Sequence, residues 1–537
     1  MRSRAWKRRF QFATYSFRTM RKISQMIMGA LALFSGAAAA SPVDGSRPNI
    51  VFILADDVGW NEFGFNGLDP KLTPHINKLR KDGVSLDNFY VHAVCAPTRA
   101  AFLTGRYAFR TWSDWRSEDF GKPSYLAKLG MKLVKNKEGE ETRRIHGLST
   151  KERTVAELLK DAGYFTSIAG KWHCGEWLPG QLPMGQGFMH QYGHYGWGID
   201  YNNKCILHNA PARFVVYDWH RNQKPVYEPG YATDLIASEA VNVIANHRMT
   251  QSGKKEQQPL FMYVAFNAIH GPLEEIPRYV EEHGKRYAAL KCLDDAVGRI
   301  VGAVDESGYK DNTLVIFAND NGGLREEMNA PYRGTKNTNY EGGVRVPCLM
   351  RWPEKIKPGS TNSGMMHVTD FYNTFATLAG GSLKQERKLD GMNMTDVIFG
   401  DAKSKRDEIV FEVSGSVRFP AIRKGDYKLV GKELYNIVKD PGEKKDIAAG
   451  NPKVVAELTQ LVEAYGKERP PLTGMDRLMS PALPWVYGQE ENENVPQWIK
   501  DEVSKIRATQ PQTWAPGTTP WPQAPKDGKI IYTGDGR

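Results

Sequence analysis

Short apolar runs rich in β-branched residues recur along this chain, separated by stretches with helical spacing, and that alternation admits few folds. "NIVFIL" (49–54), "YFTSIAG" (164–170), "PLFMYVAF" (259–266) and "TLVIFAN" (313–319) read as buried strands. "VSLDNFYV" (84–91) alternates as a strand does, and another strand-like run, "VRVPCLMRW", begins at Val344. Between them, "LTPHINKLRKDG" reads as a helix with Thr73 as N-cap, Pro74 at its first position, Ile76 and Leu79 inward and Gly83 as the stop. "TVAELLKDAG" (154–163), "ALKCLDDAVGRIVGAVDESG" and "VTDFYNTFATLAG" are further helices. Strands alternating with helices of this length predict an α/β architecture, a large mostly parallel sheet sandwiched by helices.

Beyond about residue 405 the pattern changes. "EIVFEVSGSVRFPAIRKGDYKLV" and "KELYNIVKDPGEKKDIA" read as antiparallel strands with tight turns, followed by the helix "PKVVAELTQLVEAYGKE". The expected organisation is a leader at 1–40, a main domain at 41–405, a smaller C-terminal α+β subdomain at 406–470 and a Pro/Trp-rich tail at 471–537. The tail, with Trp485, Trp498, Trp514 and Trp521, is expected to pack on the surface; a sugar-stacking platform is the alternative.

The formal net charge of +11 points at first to nucleic acid or a membrane. Eight Lys/Arg and no acid fall within residues 1–40, followed by the apolar run Met26–Phe34 and the small residues Ala38, Ala39 and Ala40. That is a signal-peptide pattern with an h-region too short to span a bilayer. Its removal lowers the net charge to +3, so nucleic-acid binding loses its support. No cysteine follows the h-region, so neither a lipid anchor nor a stable membrane anchor is expected, and the protein is placed in the periplasm or outside the cell. Such compartments permit disulfides, yet five cysteines leave at least one unpaired. If that one is Cys95, then Cys174, Cys205, Cys292 and Cys348 have partners enough for two bridges.

The polar residues sit where the strands end. "NIVFIL" runs into Asp56 and Asp57, the strand near Tyr90 into Cys95 and Arg99, and "YFTSIAG" into Lys171 and His173. "PLFMYVAF" runs into His270 and "TLVIFAN" into Asp320 and Asn321, while Lys336 lies in the Gly-rich loop "YRGTKNTNYEGG". Open α/β sheets bind ligands beyond the carboxyl ends of their strands. Asp56, Asp57, Asp320 and Asn321 are hard oxygen donors suited to Ca²⁺ or Mg²⁺. Arg99, Lys171 and Lys336 suit a sulfate or phosphate, and His173 and His270 can move protons near neutral pH. The set reads as a metal-assisted hydrolase of an anionic ester. In "CAPTRAAFLTGR" (95–106), Pro97 is expected at the first helical position with Ala96 as cap, Gly105 as the stop, and Cys95 just outside, near the positive helix end. A buried thiol, a disulfide partner and a thiol nucleophile all remain open for Cys95; soft sulfur is a poor match for a hard cation.

Cys95-Ala96-Pro97-Thr98-Arg99 with Leu103-Thr104-Gly105-Arg106 resembles the C-x-[PA]-[ST]-R-x-x-x-L-T-G signature of the formylglycine-dependent (type I) sulfatases of the alkaline phosphatase superfamily. The likeness runs from "NIVFILADDVGWNEFGFNG" to "LYNIVKDPGEKKDIA", and "YEPGYATDLIASEAV" is similar to the arylsulfatase B (N-acetylgalactosamine-4-sulfatase) group and its bacterial relatives. The resemblance implies sulfate ester hydrolysis and a maturation enzyme that converts Cys95 to formylglycine (3-oxoalanine), the hydrate of which is the nucleophile. It implies one Ca²⁺ held by Asp56, Asp57, Asp320, Asn321 and residue 95. Arg99 and Lys171 then stabilise the hydrate, His270 and Lys336 hold sulfate and assist the leaving alcohol, and His173 takes the proton that releases the product. For the substrate, the loops "HQYGHYGWGIDYNN" (190–203) and "YDWHRNQKP" (217–225) offer Tyr195, Trp197, Trp219, His220 and Arg221 as a sugar subsite for a sulfated polysaccharide or oligosaccharide, or simply as packing. The alternatives are a phosphodiesterase or phosphonate monoester hydrolase of the same superfamily, and a glycan-binding protein in which Cys95 stays unconverted.

Overall fold

The computed structural model describes residues 43–111 and 144–469 apart from short gaps at 177–178, 203, 208–214, 227, 274–275, 277–278, 401 and 414–418, with three further short strands between 117 and 142. The expected leader and the Trp-rich tail, including Trp485, Trp498, Trp514 and Trp521, lie outside the described residues.

A ten-stranded mixed sheet carries the fold. Its centre is five parallel strands in the order His190–His194, Phe165–Lys171, Leu260–Ala265, Asn49–Ala55 and Thr313–Asn319. Cys348–Arg351 joins Thr313–Asn319 antiparallel, and Val84–Leu86 and Ser360–Asn362 complete that side. On the other side His220–Arg221 and Lys224–Pro225 add an antiparallel edge. Leu260–Ala265, Asn49–Ala55 and Thr313–Asn319 are apolar at nearly every position because both faces are covered, as parallel sheets require. Successive side chains of Asn49–Ala55 serve the two faces in turn. Val51 and Ile53 join a core with Ile236, Ala240, Leu293 and Val297 of the long helices Ala232–Gln251 and Val280–Glu306. Phe52 points the other way, stacking on Phe102 at 4.1 Å and meeting Phe371 and Phe375 edge-on. Those rings come from the helices Cys95–Thr104 and Asp370–Ala379.

Several expectations shift in detail. The run 84–91 is two short strands, Val84–Leu86 and Phe89–Tyr90, and the second pairs with Met366–His367 outside the main sheet. Cys95 is the first residue of its helix and Val94 the cap, so Cys95 lies two positions deeper than the Pro97-based reading placed it. Gly105 ends that helix at φ 67°, where a Cβ would stand 2.7 Å from the Tyr372 side chain. The sequence leaves open whether the other cysteines pair, and Cys174, Cys292 and Cys348 form no bridge among the described residues. Cys174 and Cys348 are buried thiols, and Cys292 donates to Asp234 Oδ1 at 3.6 Å. The side chain of Cys205 is outside the described residues.

Toward the C-terminus, Glu408–Glu412, Ala421–Lys424, Tyr427–Val430 and Glu433–Asn436 form a four-stranded antiparallel sheet, and Pro452–Lys467 packs on it through Leu458 and Val462. Its apolar face belongs to one continuous cluster with Tyr90, Val94, Cys95 and Tyr107. The small sheet is therefore a wall of the region around Cys95.

Candidate active site

Strand register brings the site together. Ala55 pairs with Asn319, Leu54 with Ala265, Ala265 with Gly170 and Lys171 with His194. The residues just beyond these partners must emerge side by side at one sheet edge. Asp56 and Asp57 leave the central strand, Asp320 and Asn321 the strand on one flank, and Lys171 and His173 a strand on the other. Gly322 and Gly323 let the Asn321 loop pass this crowded edge: a Cβ on Gly322 would lie 1.8 Å from the Gly342 carbonyl oxygen.

Arg99 is fully buried at the centre of the cluster. Its Nε and one terminal nitrogen donate to Asp320 Oδ2 at 3.1 and 2.8 Å, and the same terminal nitrogen donates to Asp56 Oδ2 at 3.1 Å. Its other terminal nitrogen donates to the Lys171 carbonyl at 3.0 Å. Lys171 Nζ donates to Asp56 Oδ2 at 2.5 Å. Lys336 Nζ sits 2.6 and 2.9 Å from the two Asp57 oxygens, and Asn321 Nδ2 donates to Asp57 Oδ1 at 2.8 Å. His270 Nδ1–H donates to the Gly271 carbonyl at 2.6 Å, which leaves Nε2 facing Asp57 Oδ2 at 3.8 Å. The Cys95 thiol, an Asp56 oxygen and a His270 nitrogen lie within 4.8 Å of one another. All ten residues expected for metal and catalysis thus meet at this edge, with His173 half-buried beside Lys171 and held at φ 52°.

Charge is strongly structured here. Burial and the neighbouring Asp56 push the Asp320 carboxyl up to about 7. Burial also opposes ionisation of Asp56, but Lys171, His270, Arg99 and Lys336 outweigh it and hold that carboxylate well below its usual range. Burial, then Lys171, lowers both His173 and His270, so both are neutral proton acceptors near pH 7. Burial pushes the Cys95 thiol up to about 11 against the pull of Lys171, so the sulfur is protonated and weakly nucleophilic as it stands.

A hard cation fits these donors. Asp56 Oδ1, Asp320 Oδ1 and Asn321 Oδ1 are buried oxygens with no hydrogen-bond partner, an expensive state unless something else coordinates them. Carboxylate oxygens of Asp56, Asp57 and Asp320 lie within 4.8 Å of one another. Three converging carboxylate oxygens suit Ca²⁺ or Mg²⁺ better than zinc.

Against this geometry, residues 48–382 match the model of the sulfatase family ("Sulfatase"). The chain belongs to the sulfatase family. With that membership it is a sulfuric ester hydrolase, and residues 335–468 match "N-sulphoglucosamine sulphohydrolase, C-terminal". Human arylsulfatase A is 32% identical over 80% of this chain and 89% of its own length. Mouse arylsulfatase J is 31% identical over 68% of this chain, which spans 58% of that longer protein. Among solved structures, Ps i-CgsB in complex with k-i-k-neocarrahexaose is similar at TM-score 0.66 and 29% identity, covering 85% of this chain and 99% of its own.

Four of the five aromatic and basic candidates for a sugar subsite are taken up in packing or ion pairs in this sulfatase. Tyr195 is buried and stacks on buried His220 at 4.6 Å, and Trp219 is buried against Tyr192 and His194. Rings without an open face hold the loops, and three candidates are corrected to packing. Arg221 is locked in ion pairs with Glu239 and Glu228 over the Tyr192 ring, a structural clamp. Trp197 alone remains half-buried beside the site, its ring 5.6 Å from that of His270. Two positioning groups carried no sequence signal. Arg286 donates to the Asp57 carbonyl at 2.9 Å while gripping Glu62, and Tyr201 Oη donates to the Asn267 and His270 carbonyls at 2.8 Å. Arg286 is 229 residues from Asp57, so only the folded chain could pair them.

Proposed function

We propose that the protein is exported and removes sulfate from a sulfated polysaccharide or oligosaccharide, using a formylglycine made from Cys95 by a maturation enzyme and one Ca²⁺. The observation that carries this reading is one sheet edge at which a buried thiol lies beside Asp56 and His270, the Asp56, Asp57 and Asp320 carboxylates converge, and three buried oxygens have no partner. Asp56, Asp57, Asp320, Asn321 and the oxygen on residue 95 would hold the Ca²⁺, which supplies positive charge that favours an ionised oxygen ligand. The aldehyde hydrate supplies two hydroxyls on one carbon, one to bond sulfur and one to expel the product afterwards. Arg99 and Lys171 would fix the hydrate beside Asp56, Lys336 would offer positive charge and a proton to the sulfate and the departing oxygen, and His270 Nε2 would relay a proton there once it has accepted one. His173, kept neutral by burial, accepts the proton of the second hydroxyl as sulfate leaves. The carrageenan oligosaccharide named for Ps i-CgsB supports a sulfated saccharide as the substrate class.

Mass spectrometry of the peptide spanning Cys95, combined with turnover of matched esters, tests the reading. The expected result is a peptide lighter by the difference between CH₂SH and CHO, and faster cleavage of sulfate than of phosphate or phosphonate esters. A preference for phosphorus esters would overturn it, as would full turnover by Cys95→Ala.

A further inference from the structure

A cationic cavity of about 300 Å³ lies at the opposite end of the central strands from Cys95. Asn49 opens the central strand, Pro259 precedes Leu260–Ala265, and Asn312 precedes Thr313–Asn319; all three line it. A seven-residue strand at about 3.3 Å per residue separates this cavity from the catalytic edge by about 20 Å. It is a place of its own.

Its charged lining is Arg47 and Arg248, and no acidic residue lines it. Arg47 takes φ 53° while its backbone N–H donates to the Leu378 carbonyl at 2.9 Å, which fixes where its side chain departs. The guanidinium lies 6.0 Å over the Tyr164 ring, and that of Arg248 lies 5.5 Å over the ring of Tyr309. Tyr309 is itself tied through its hydroxyl to His247 Nδ1 at 2.8 Å. Neither guanidinium has a carboxylate partner among the described residues. Gln257, Gln258 and Asn312 add amide groups to the same walls. Guanidinium keeps its charge at any physiological pH, so this cavity presents two permanent cations and no acid among its lining residues. Planar forks with aromatic rings beneath them favour a tetrahedral or planar oxyanion over a bare halide.

We propose that this cavity binds a sulfate-class oxyanion, away from catalysis. Free inorganic sulfate and a sulfate ester on a saccharide chain share that chemistry. In the second case the cavity tethers a polymer to the enzyme and raises its effective concentration at the catalytic edge.

The test is equilibrium dialysis of inorganic sulfate against the full chain carrying Cys95→Ala, with and without Arg47→Gln/Arg248→Gln. The expected result is the loss of one bound sulfate, or its weakening by about tenfold or more, in the double variant, whatever the catalytic pocket retains. An unchanged isotherm would overturn the proposal, and since the catalytic pocket adds the same amount to both arms, its own failure reads separately. Arg47→Gln alone alters an exposed side chain and keeps the test readable if the pair does not fold. In the active enzyme, a raised KM for a sulfated oligosaccharide with an unchanged KM for a small aryl sulfate assigns the site to the ester. Loss of dialysed sulfate with both KM values unchanged assigns it to the free anion.

Discussion

Lys428→Met offers a sharp test of how the small sheet is locked to the catalytic one. Lys428 is fully buried, and its Nζ lies 2.8 Å from Glu341 Oε1 and 3.1 Å from Glu443 Oε1. Glu443 Oε2 also accepts from the Glu341 backbone N–H at 2.6 Å, so the cluster pins the short helix Glu341–Val344, which comes directly after the Lys336 loop. Burial, opposed by Lys428, leaves the Glu443 carboxyl raised to about 7. The Glu341 carboxyl is instead held near 2, because Lys428, Arg345 and Arg423 overcome its burial. Methionine fills much the same space and keeps contact with Phe411, the ring beneath the ammonium, so the substitution isolates charge. Removing one partner from a buried ion pair costs about 3–5 kcal/mol. The expectation is the lower end at acid pH, because Glu443 can take up a proton. At about 2.1 cal/mol/K per residue over roughly 400 ordered residues, the melting temperature should fall by about 3–6 °C.

The sign of the pH dependence comes from the raised carboxyl. Below its unfolded value of 4.5, Glu443 is protonated in both states; between 4.5 and about 7 only the folded state keeps the proton. The folded chain thus loses stability as pH rises through that window, and without Lys428 the loss steepens. Calorimetry of both proteins at pH 5.5 and 8 reads this directly, with Lys428→Met/Glu443→Gln expected to recover part of the difference at pH 8. A Lys428→Met drop that is equal at both pH values, or no recovery in the double variant, would refute the electrostatic account.

Gly105→Ala should destabilise by about 1–3 kcal/mol, since it adds a Cβ 2.7 Å from Tyr372 at a left-handed φ; a melting temperature equal to the parent's would contradict this. Chelation should lower both the melting temperature and activity, and Ca²⁺ should restore both better than Zn²⁺, because three partnerless oxygens are left buried without a cation; scanning calorimetry with metal add-back reads it. Trp197→Ala should raise KM for saccharide sulfates several-fold while leaving the fold intact, whereas Trp219→Ala should lose about 3–5 kcal/mol of stability, a split readable from steady-state kinetics and melting curves.

Much of the catalytic edge is legible in the sequence because a parallel sheet imposes a simple rule: the residues at the carboxyl end of each apolar run emerge at one edge. Asp56, Lys171, His270 and Asp320 are found by that rule. Cys95 and Arg99 are found by the signature around them. The rule has no power over loops. Tyr195, Trp219 and His220 look like a sugar platform in composition, yet packing turns their faces inward. Cys174 and Cys348 are plausible bridge partners by count, and the fold buries them as separate thiols. The helix Ala232–Gln251 escapes a reading by apolar spacing because Thr233, Asp234, Glu239 and His247 interrupt its pattern while being buried themselves.

The amino-acid order by itself determined the strand–helix alternation, the residues that end each strand, and the signature beginning at Cys95, because these depend on local spacing. Tertiary structure alone decided which oxygens lack partners, why Asp56 and Asp320 titrate on opposite sides of their usual value, and how Arg286 reaches Asp57. Those outcomes depend on desolvation and on distances between groups hundreds of positions apart, and both come into being only when the sheet closes.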